Sequence, residues 1–188
     1  MNRLFPGDSS GESSGKIAFF VFEQANKIAD IIVDLHSGGE RWVVPFYVLV
    51  PRGNTVTHIN SLELAKFIDC PIIWLLSDSW LQGSMVFQSN GCGIISILVE
   101  SGGAIVTEAD IDDYHKVLIK TLKWAEMFEE SFEITEVYHE RNKVPIIVDE
   151  CSFLYSKCGE IFFPKLSPGE ILNKGQRIGH LLDSYGIL

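Results

Sequence analysis

Two polar residues of this 188-residue chain end apolar segments and stand directly before Ser-Gly-Gly turns. His36 ends a segment that begins at Ile31, and Glu100 ends a segment that begins at Ile94. Apolar segments rich in β-branched residues predict covered strands, and such sheets bind ligands beyond the carboxyl ends of their strands. The pattern therefore predicts a site with His36 as a candidate metal ligand and Glu100 as a candidate general base. The alternative is structural: His36 hydrogen-bonded within the fold, and Glu100 accepting backbone N–H groups in its turn.

The elements that position these two residues alternate between helix and strand. The spacing of apolar residues predicts helices at about 11–29, 61–67 and 108–128, and strands at about 31–36, 42–50, 70–76 and 94–100. The segment 83–90 is predicted as a strand or an extended loop. This alternation is typical of an α/β domain.

From Ser131 onward the pattern changes to short strand candidates without a long helix. They lie at 132–139, 144–150, 153–158 and 160–163. Regularly spaced short strands indicate a small β module. We therefore predict two domains, residues 1–135 and residues 136–188.

Composition excludes several classes of partner. The formal net charge of −10 argues against binding to nucleic acid or to an anionic membrane. No run of 18 apolar residues is present, and the N-terminus does not have the pattern of a signal peptide. The four cysteines include no Cys-x-x-Cys pair, which favours reduced thiols. These features predict a cytoplasmic protein.

Four short motifs resemble, in the same order, those of the succinylglutamate desuccinylase/aspartoacylase family, which belongs with the zinc carboxypeptidases. They are Asn2-Arg3-x-Phe5-Pro6-Gly7, Asp34-Leu35-His36-Ser37-Gly38, Glu100-x-Gly102-Gly103 and Pro168-Gly169-Glu170-x-Leu172-x-Lys174-Gly175-Gln176-x-Ile178-Gly179. The last one resembles the lipoyl-like β module that follows the catalytic domain in such deacylases. The resemblance implies a zinc-carboxypeptidase-like α/β fold, a mixed sheet with flanking helices, followed by a small C-terminal β module.

The resemblance also implies a reaction and a role for each matching residue. The reaction is zinc-dependent hydrolysis of an amide that removes an acyl group from an amino-acid-like carboxylate. His36 corresponds to a zinc ligand, and Glu100 to the carboxylate that moves the proton of the attacking water. Asn2 and Arg3 correspond to the pair that binds the carboxylate of the substrate. By its chemistry, Asp34 is a candidate for orienting His36.

The chain departs from the family pattern at the remaining zinc ligands. In the family these come from a His-x-x-Glu motif upstream of the Asn-Arg pair, and none of the five histidines here has Glu at that spacing. We therefore expect the N-terminal part of the domain to be missing and the β module to be shortened. Three explanations stay open: a truncated gene product, one of two pieces that assemble, or a non-catalytic remnant that binds small carboxylates or a protein. The expected partners are a small-molecule carboxylate and either a second copy or a chain that supplies the missing segment.

Overall fold

The structure, a computed structural model, describes residues 1–40, 42–103, 105–128, 144–156 and 161–182. The chain forms two compact units, Met1–Glu150 and Cys151–Leu188. The predicted domain boundary near residue 135 lies outside the described residues and stays a prediction, as does the predicted strand at 132–139.

The described part of the first unit contains five helices. They are α1 (Ser13–Ile28), α2 (Val56–Phe67), α3 (Asp78–Leu81), α4 (Met85–Gly91) and α5 (Glu108–Trp124). Its strands are β1 (Ile31–His36), β2 (Val44–Pro51), β3 (Ile72–Leu76), β4 (Ile95–Gly102) and β5 (Ile146–Val148). None of the helices in the described ranges is long and apolar enough to cross a bilayer.

The five strands form one mixed sheet in the order β1-β4-β2-β3-β5. β1 runs parallel to β4, and β2 runs antiparallel to β4. On the other side of β2, β3 runs parallel to β2, and β5 runs parallel to β3. The carboxyl ends of β1 and β4 therefore lie at the same edge of the sheet as the amino ends of β2 and β3. This architecture confirms the predicted α/β fold with a mixed sheet and flanking helices.

Side-chain alternation along the central strand β4 divides the core into two layers. Ile97 and Val99 are fully buried in the layer that includes Leu64 of α2 and Val117 of α5. The intervening Leu98 packs on the opposite face of the sheet, in the layer built with α3 and α4. Glu100 follows Leu98 by two residues, so its side chain lies on this second face.

The structure corrects the prediction for the segment 83–90. That segment is not extended: it contains the helix α4, whose N-cap residue Ser84 accepts a hydrogen bond from the backbone N–H of Phe87 at 3.2 Å. Burial of Met85 and Val86 in the core adds tertiary stabilisation to this short helix.

The short strands predicted after residue 143 are present in part. Ile146–Val148, predicted within the β module, forms β5 and pairs with β3 at the edge of the large sheet. In the second unit, β6 (Ile161–Pro164) and β7 (Gly179–Leu182) form an antiparallel pair. The described residues of this unit therefore confirm a small C-terminal β element.

Candidate functional site

The two strand-end residues predicted from the sequence lie side by side. In the parallel pairing of β1 and β4, His36 is the register partner of Glu100. Paired residues on neighbouring strands point to the same face and are about 5 Å apart at the backbone. The sheet therefore brings the imidazole and the carboxylate together at its edge, on the face covered by α3 and α4.

Glycines after both strands allow the two following loops to approach each other closely. The backbone N–H of Gly38 donates to the carbonyl of Gly102 at 3.4 Å. Gly102 has a φ of +72°, and a Cβ atom on Gly38 would lie 2.3 Å from the carbonyl oxygen of Trp42. Any side chain at these two positions would push the loops apart, since glycine alone tolerates both conditions.

Asn2 connects the N-terminal segment to His36. Its Oδ1 accepts from the backbone N–H of Met85 at 3.0 Å, and its Nδ2 lies 3.0 Å from His36 Nε2. The segment is held in place by a backbone hydrogen bond from Phe5 to the carbonyl of Gly83 at 2.9 Å. The start of α4 therefore orients Asn2, and Asn2 in turn contacts the imidazole.

Arg3 is exposed next to this contact. Its guanidinium donates to the carbonyl of Asn2 and makes no ion pair with any described residue. Its charge is near enough to oppose protonation of His36. Arg3 therefore adds positive charge at the rim of the site, which suits an anionic ligand.

Asp34 contacts the same ring nitrogen from β1 itself. Its Oδ1 lies 2.9 Å from His36 Nε2, because residues two apart on a strand share a face. The hydrogen bond with Asp34 is the main cause of a raised His36 pKa; burial opposes the shift, and the charges of Asp34 and Glu100 add to it. Nε2 donates to Asp34 when it carries a proton, in the imidazolium or in the neutral Nε2–H tautomer, and accepts from Asn2 when it carries none, so the two contacts are alternatives.

Glu100 is half-buried, and burial raises the pKa of its carboxyl group. The positive charge of His36 opposes this shift, and the negative charge of Asp34 adds to it. Its Oε2 is buried and has no hydrogen-bond partner among the described residues. A carboxyl group whose pKa is raised by burial in a polar centre is a candidate for taking up and releasing protons.

A second set of polar residues, which the sequence did not predict, connects both strand ends to α5. The Tyr114 hydroxyl donates to the carbonyl of His36 and accepts from the backbone N–H of Ser101 at 3.2 Å. The Ser101 hydroxyl lies 3.0 Å from Asp110 Oδ1 and 3.1 Å from Asp113 Oδ2. The acidic first turns of α5 therefore bind the strand that carries Glu100.

A cleft of about 540 Å³ opens beside β1 at this centre. Its polar residues are Asn2, Asp34 and His36. The rest of its lining is apolar and comes from the N-terminal segment, α1, β1 and α4: Met1, Phe5, Val21, Ile32, Val33 and Met85. The cleft therefore has the character of a ligand site, with few polar groups against apolar walls.

The described residues do not by themselves fit a zinc ion. A catalytic zinc normally has three protein ligands, and no group of three or more His, Cys, Asp and Glu side chains in the described ranges is placed to hold a metal. His36 supplies one such ligand, and Asp34 and Asn2 both contact its Nε2 atom.

The mixed sheet, its flanking helices and the polar centre at the ends of β1 and β4 define an α/β domain with a candidate site at one edge of its sheet. Residues 1–123 match the family model described as the succinylglutamate desuccinylase/aspartoacylase catalytic domain. The chain therefore belongs to the succinylglutamate desuccinylase/aspartoacylase family, as its motifs predicted.

Individual relatives agree with this assignment. The N-alpha-acetyl-L-2,4-diaminobutyric acid deacetylase of Halomonas elongata is 28% identical over 125 residues, which cover 61% of this chain and 36% of the relative. A succinylglutamate desuccinylase/aspartoacylase from Rhodobacter sphaeroides superimposes with a TM-score of 0.79 and 21% identity, over 95% of this chain and 54% of that chain. The product-bound ectoine utilization protein EutE (DoeB) from Ruegeria pomeroyi superimposes with a TM-score of 0.80 and 20% identity. The match covers 97% of this chain and 55% of that chain.

These matches also set the extent of the similarity. The chain spans about a third of the length of the Halomonas relative and about half of each solved structure. At this level of identity the solved structures show the fold. The family match shows a deacylase family.

Proposed function

We propose that the chain carries part of the active site of an amide hydrolase that removes an acyl group from an amino-acid-like carboxylate. The observation that carries the proposal is the pairing of His36 with Glu100 on adjacent parallel strands, with Asn2 in contact with the imidazole. The family assignment supports the same reaction class.

In such a reaction the described side chains have two roles, substrate binding and proton transfer. Arg3 and Asn2 bind the carboxylate of the substrate, since a guanidinium forms charge-assisted hydrogen bonds to it. Glu100 accepts a proton from the attacking water and returns it to the leaving amine, and its raised pKa suits both steps. Such a reaction forms no covalent intermediate with the protein, so it needs no nucleophilic serine or cysteine.

The family resemblance further implies zinc, with His36 as one ligand. Because the described residues do not form a three-ligand set, the other ligands would have to come from outside them. A second chain or a second copy that supplies them remains part of the proposal, as does the cytoplasmic location predicted from composition.

The direct test is hydrolysis of N-acetyl-L-2,4-diaminobutyrate, followed by the release of free amine. In the assembly that supplies the remaining ligands, we expect Glu100→Gln to lower kcat by about 10²-fold or more relative to the unmodified protein, because the general base is lost. Glu63→Gln is the matched control, since Glu63 is exposed on α2, across the sheet from the site. Near-normal turnover by Glu100→Gln would remove this residue from the mechanism.

A non-catalytic carboxylate-binding module is the second candidate function. The lack of a three-ligand group among the described residues favours it. In that case the protein binds the same N-acetyl amino acid with no turnover, and Glu100→Gln leaves the affinity unchanged while Arg3→Gln lowers it.

A further inference from the structure

Tyr47 lies next to Glu100 on the side away from His36. β2 runs antiparallel to β4, and Tyr47 is the register partner of Glu100. Directly paired residues of antiparallel strands point to the same face. A row of three polar side chains therefore crosses the sheet edge on β1, β4 and β2: His36, Glu100 and Tyr47.

Trp74 of β3 extends this row as an aromatic wall. The ring centroids of Tyr47 and Trp74 are 5.9 Å apart, with an interplanar angle of 62°. This edge-on contact is a favourable geometry for two aromatic rings and fixes the direction of both. Both residues are half-buried.

Hydrogen-bonding groups on both sides of the Tyr47 ring lack partners within the described ranges. Glu100 Oε2 and Trp74 Nε1 are buried and unpaired there. Buried polar atoms are paired in the great majority of cases, so an unpaired acceptor and an unpaired donor on one wall point to a ligand. Tyr47 itself makes no hydrogen bond to a described residue, and burial and the charge of Glu100 raise its pKa, so its hydroxyl stays protonated.

The order of the groups across the sheet fixes the direction of a bound substrate. Arg3 and Asn2 lie on the β1 side of Glu100, and Tyr47 lies on the β2 side. Two strand spacings separate β1 from β2, which is about 10 Å, the length of a small N-acyl amino acid. With its carboxylate at Arg3 and its amide at Glu100, such a molecule has its acyl group against Tyr47 and Trp74.

We propose that Tyr47 and Trp74 form the acyl-group subsite of this centre, in which the Tyr47 hydroxyl donates a hydrogen bond to the acyl oxygen. The inference rests on the proposed amide hydrolase and adds to it a recognition element for the acyl half of the substrate. In this arrangement the carboxylate and the acyl oxygen of the substrate are recognised at opposite ends of the row.

The test compares two probes: N-alpha-acetyl-L-2,4-diaminobutyrate and free L-2,4-diaminobutyrate, which lacks the acyl group and carries an α-ammonium group in place of the amide. Binding is measured by isothermal titration calorimetry in a Glu100→Gln background, which prevents turnover during the titration. We expect Tyr47→Phe to raise the Kd of the acetylated probe by about five- to tenfold, the loss of one hydrogen bond, and to leave the Kd of the free amino acid unchanged. Arg3→Gln is expected to weaken binding of both probes. Thermal unfolding of each variant verifies that Tyr47→Phe, which keeps the ring, is folded.

The outcomes separate this inference from the function on which it rests. If Arg3→Gln weakens both probes and Tyr47→Phe weakens neither, the subsite is wrong and the carboxylate site stands. If Tyr47→Phe weakens both probes equally, Tyr47 has a general structural role and the subsite is again wrong. If neither probe binds, or Arg3→Gln has no effect on binding, the proposed function fails and the subsite fails with it.

Discussion

His36 shows how a single ring nitrogen is shared between structural and functional contacts. Nε2 lies 3.0 Å from the amide of Asn2 and 2.9 Å from the carboxylate of Asp34. A metal ligand must be neutral and must offer a lone pair, which lies on Nδ1 when Nε2–H donates to Asp34 and on Nε2 when Nε2 accepts from Asn2. Asp34 accepts from Nε2–H in the imidazolium and in the neutral Nε2–H tautomer, and in that neutral tautomer Nδ1 is the atom that could hold a metal ion.

The role of His36 is tested by metal content. In the assembly that supplies the remaining ligands, we expect His36→Ala to abolish tight zinc binding, measured as zinc per chain by mass spectrometry after dialysis, because an alanine offers no ligand atom. The stability should change modestly, since His36 is half-buried at a strand end. His58→Ala is the matched control, because His58 lies in α2, which follows the opposite end of β2. Unchanged zinc stoichiometry in His36→Ala would contradict the assignment.

At the scale of elements, the start of α5 fixes the geometry of both strand ends. Thr107 and Asp110 form a capping box in which the side chain of each accepts from the backbone N–H of the other. Asp110 also lies 3.0 Å from the Ser101 hydroxyl, and Tyr114 in the next turn donates to the carbonyl of His36. A loss of the cap would therefore loosen both the helix and the ends of β1 and β4.

We expect Asp110→Ala to lower the free energy of unfolding by about 1 kcal/mol at pH 7, the usual cost of a lost helix cap. The hydrogen bonds from Thr107 lower the pKa of Asp110 in the folded state. A lowered folded-state pKa stabilises the protein above the unfolded value of about 4, and this contribution is lost as the pH falls through the folded-state pKa. The difference in the free energy of unfolding between Asp110→Ala and the unmodified protein should therefore become smaller at acidic pH.

Urea unfolding at pH 7 and at about pH 3 measures this gap. Asp112→Ala is the matched control, because Asp112 is exposed on the same helix and makes no hydrogen bond to a described residue. A gap of equal size at both pH values would show that the ionised carboxylate of Asp110 does not contribute to the cap.

The sequence predicted the elements whose apolar residues follow a clear helical or strand pattern. The prediction was wrong for an element whose conformation depends on tertiary contacts. β1 and β4 carry long β-branched runs, and both strands were predicted with their ends at the site residues. The helix α4 was missed, although Ser84 is a recognisable N-cap residue, because seven residues carry too little helical periodicity. Its stability comes from burial and from Asn2, which accepts from the Met85 N–H.

The same limit applies to the candidate site. His36, Glu100, Asn2 and Arg3 were found because they occur in motifs. Tyr47 and Tyr114 occur in none, and their contacts depend on the register of β2 against β4 and on the packing of α5. One signal was available for Tyr47: it is a polar aromatic residue in the first half of an apolar strand.

At the scale of the whole molecule, the mixed sheet explains why polar groups from four strands gather at one edge. β1 and β4 end there, while β2 and β3 begin there, so residues far apart in sequence become neighbours. The helices α4 and α5 approach this edge from opposite faces, and each contributes contacts to the site through its first turn. The site therefore depends on the integrity of the complete sheet, including its edge strand β5.

The contribution of β5 gives a test of the predicted domain boundary. A protein ending at residue 150 keeps β5, whereas one ending at residue 135 loses its pairing with β3 and the hydrogen bond from the Ile146 N–H to the carbonyl of Pro71 at 3.0 Å. Because several backbone hydrogen bonds and the half-buried Val148 are lost, we expect the shorter protein to be less stable by about 1–3 kcal/mol.

Urea unfolding of both proteins, followed by tryptophan fluorescence, measures this difference, since Trp74 pairs with Val148 at the sheet edge. Asp149→Asn in the longer protein is the control. It removes only the exposed ion pair with Arg52, which is expected to contribute about 0–1 kcal/mol. Equal stability of the two proteins would place the end of the first folding unit near residue 135, whereas the expected loss places it beyond β5.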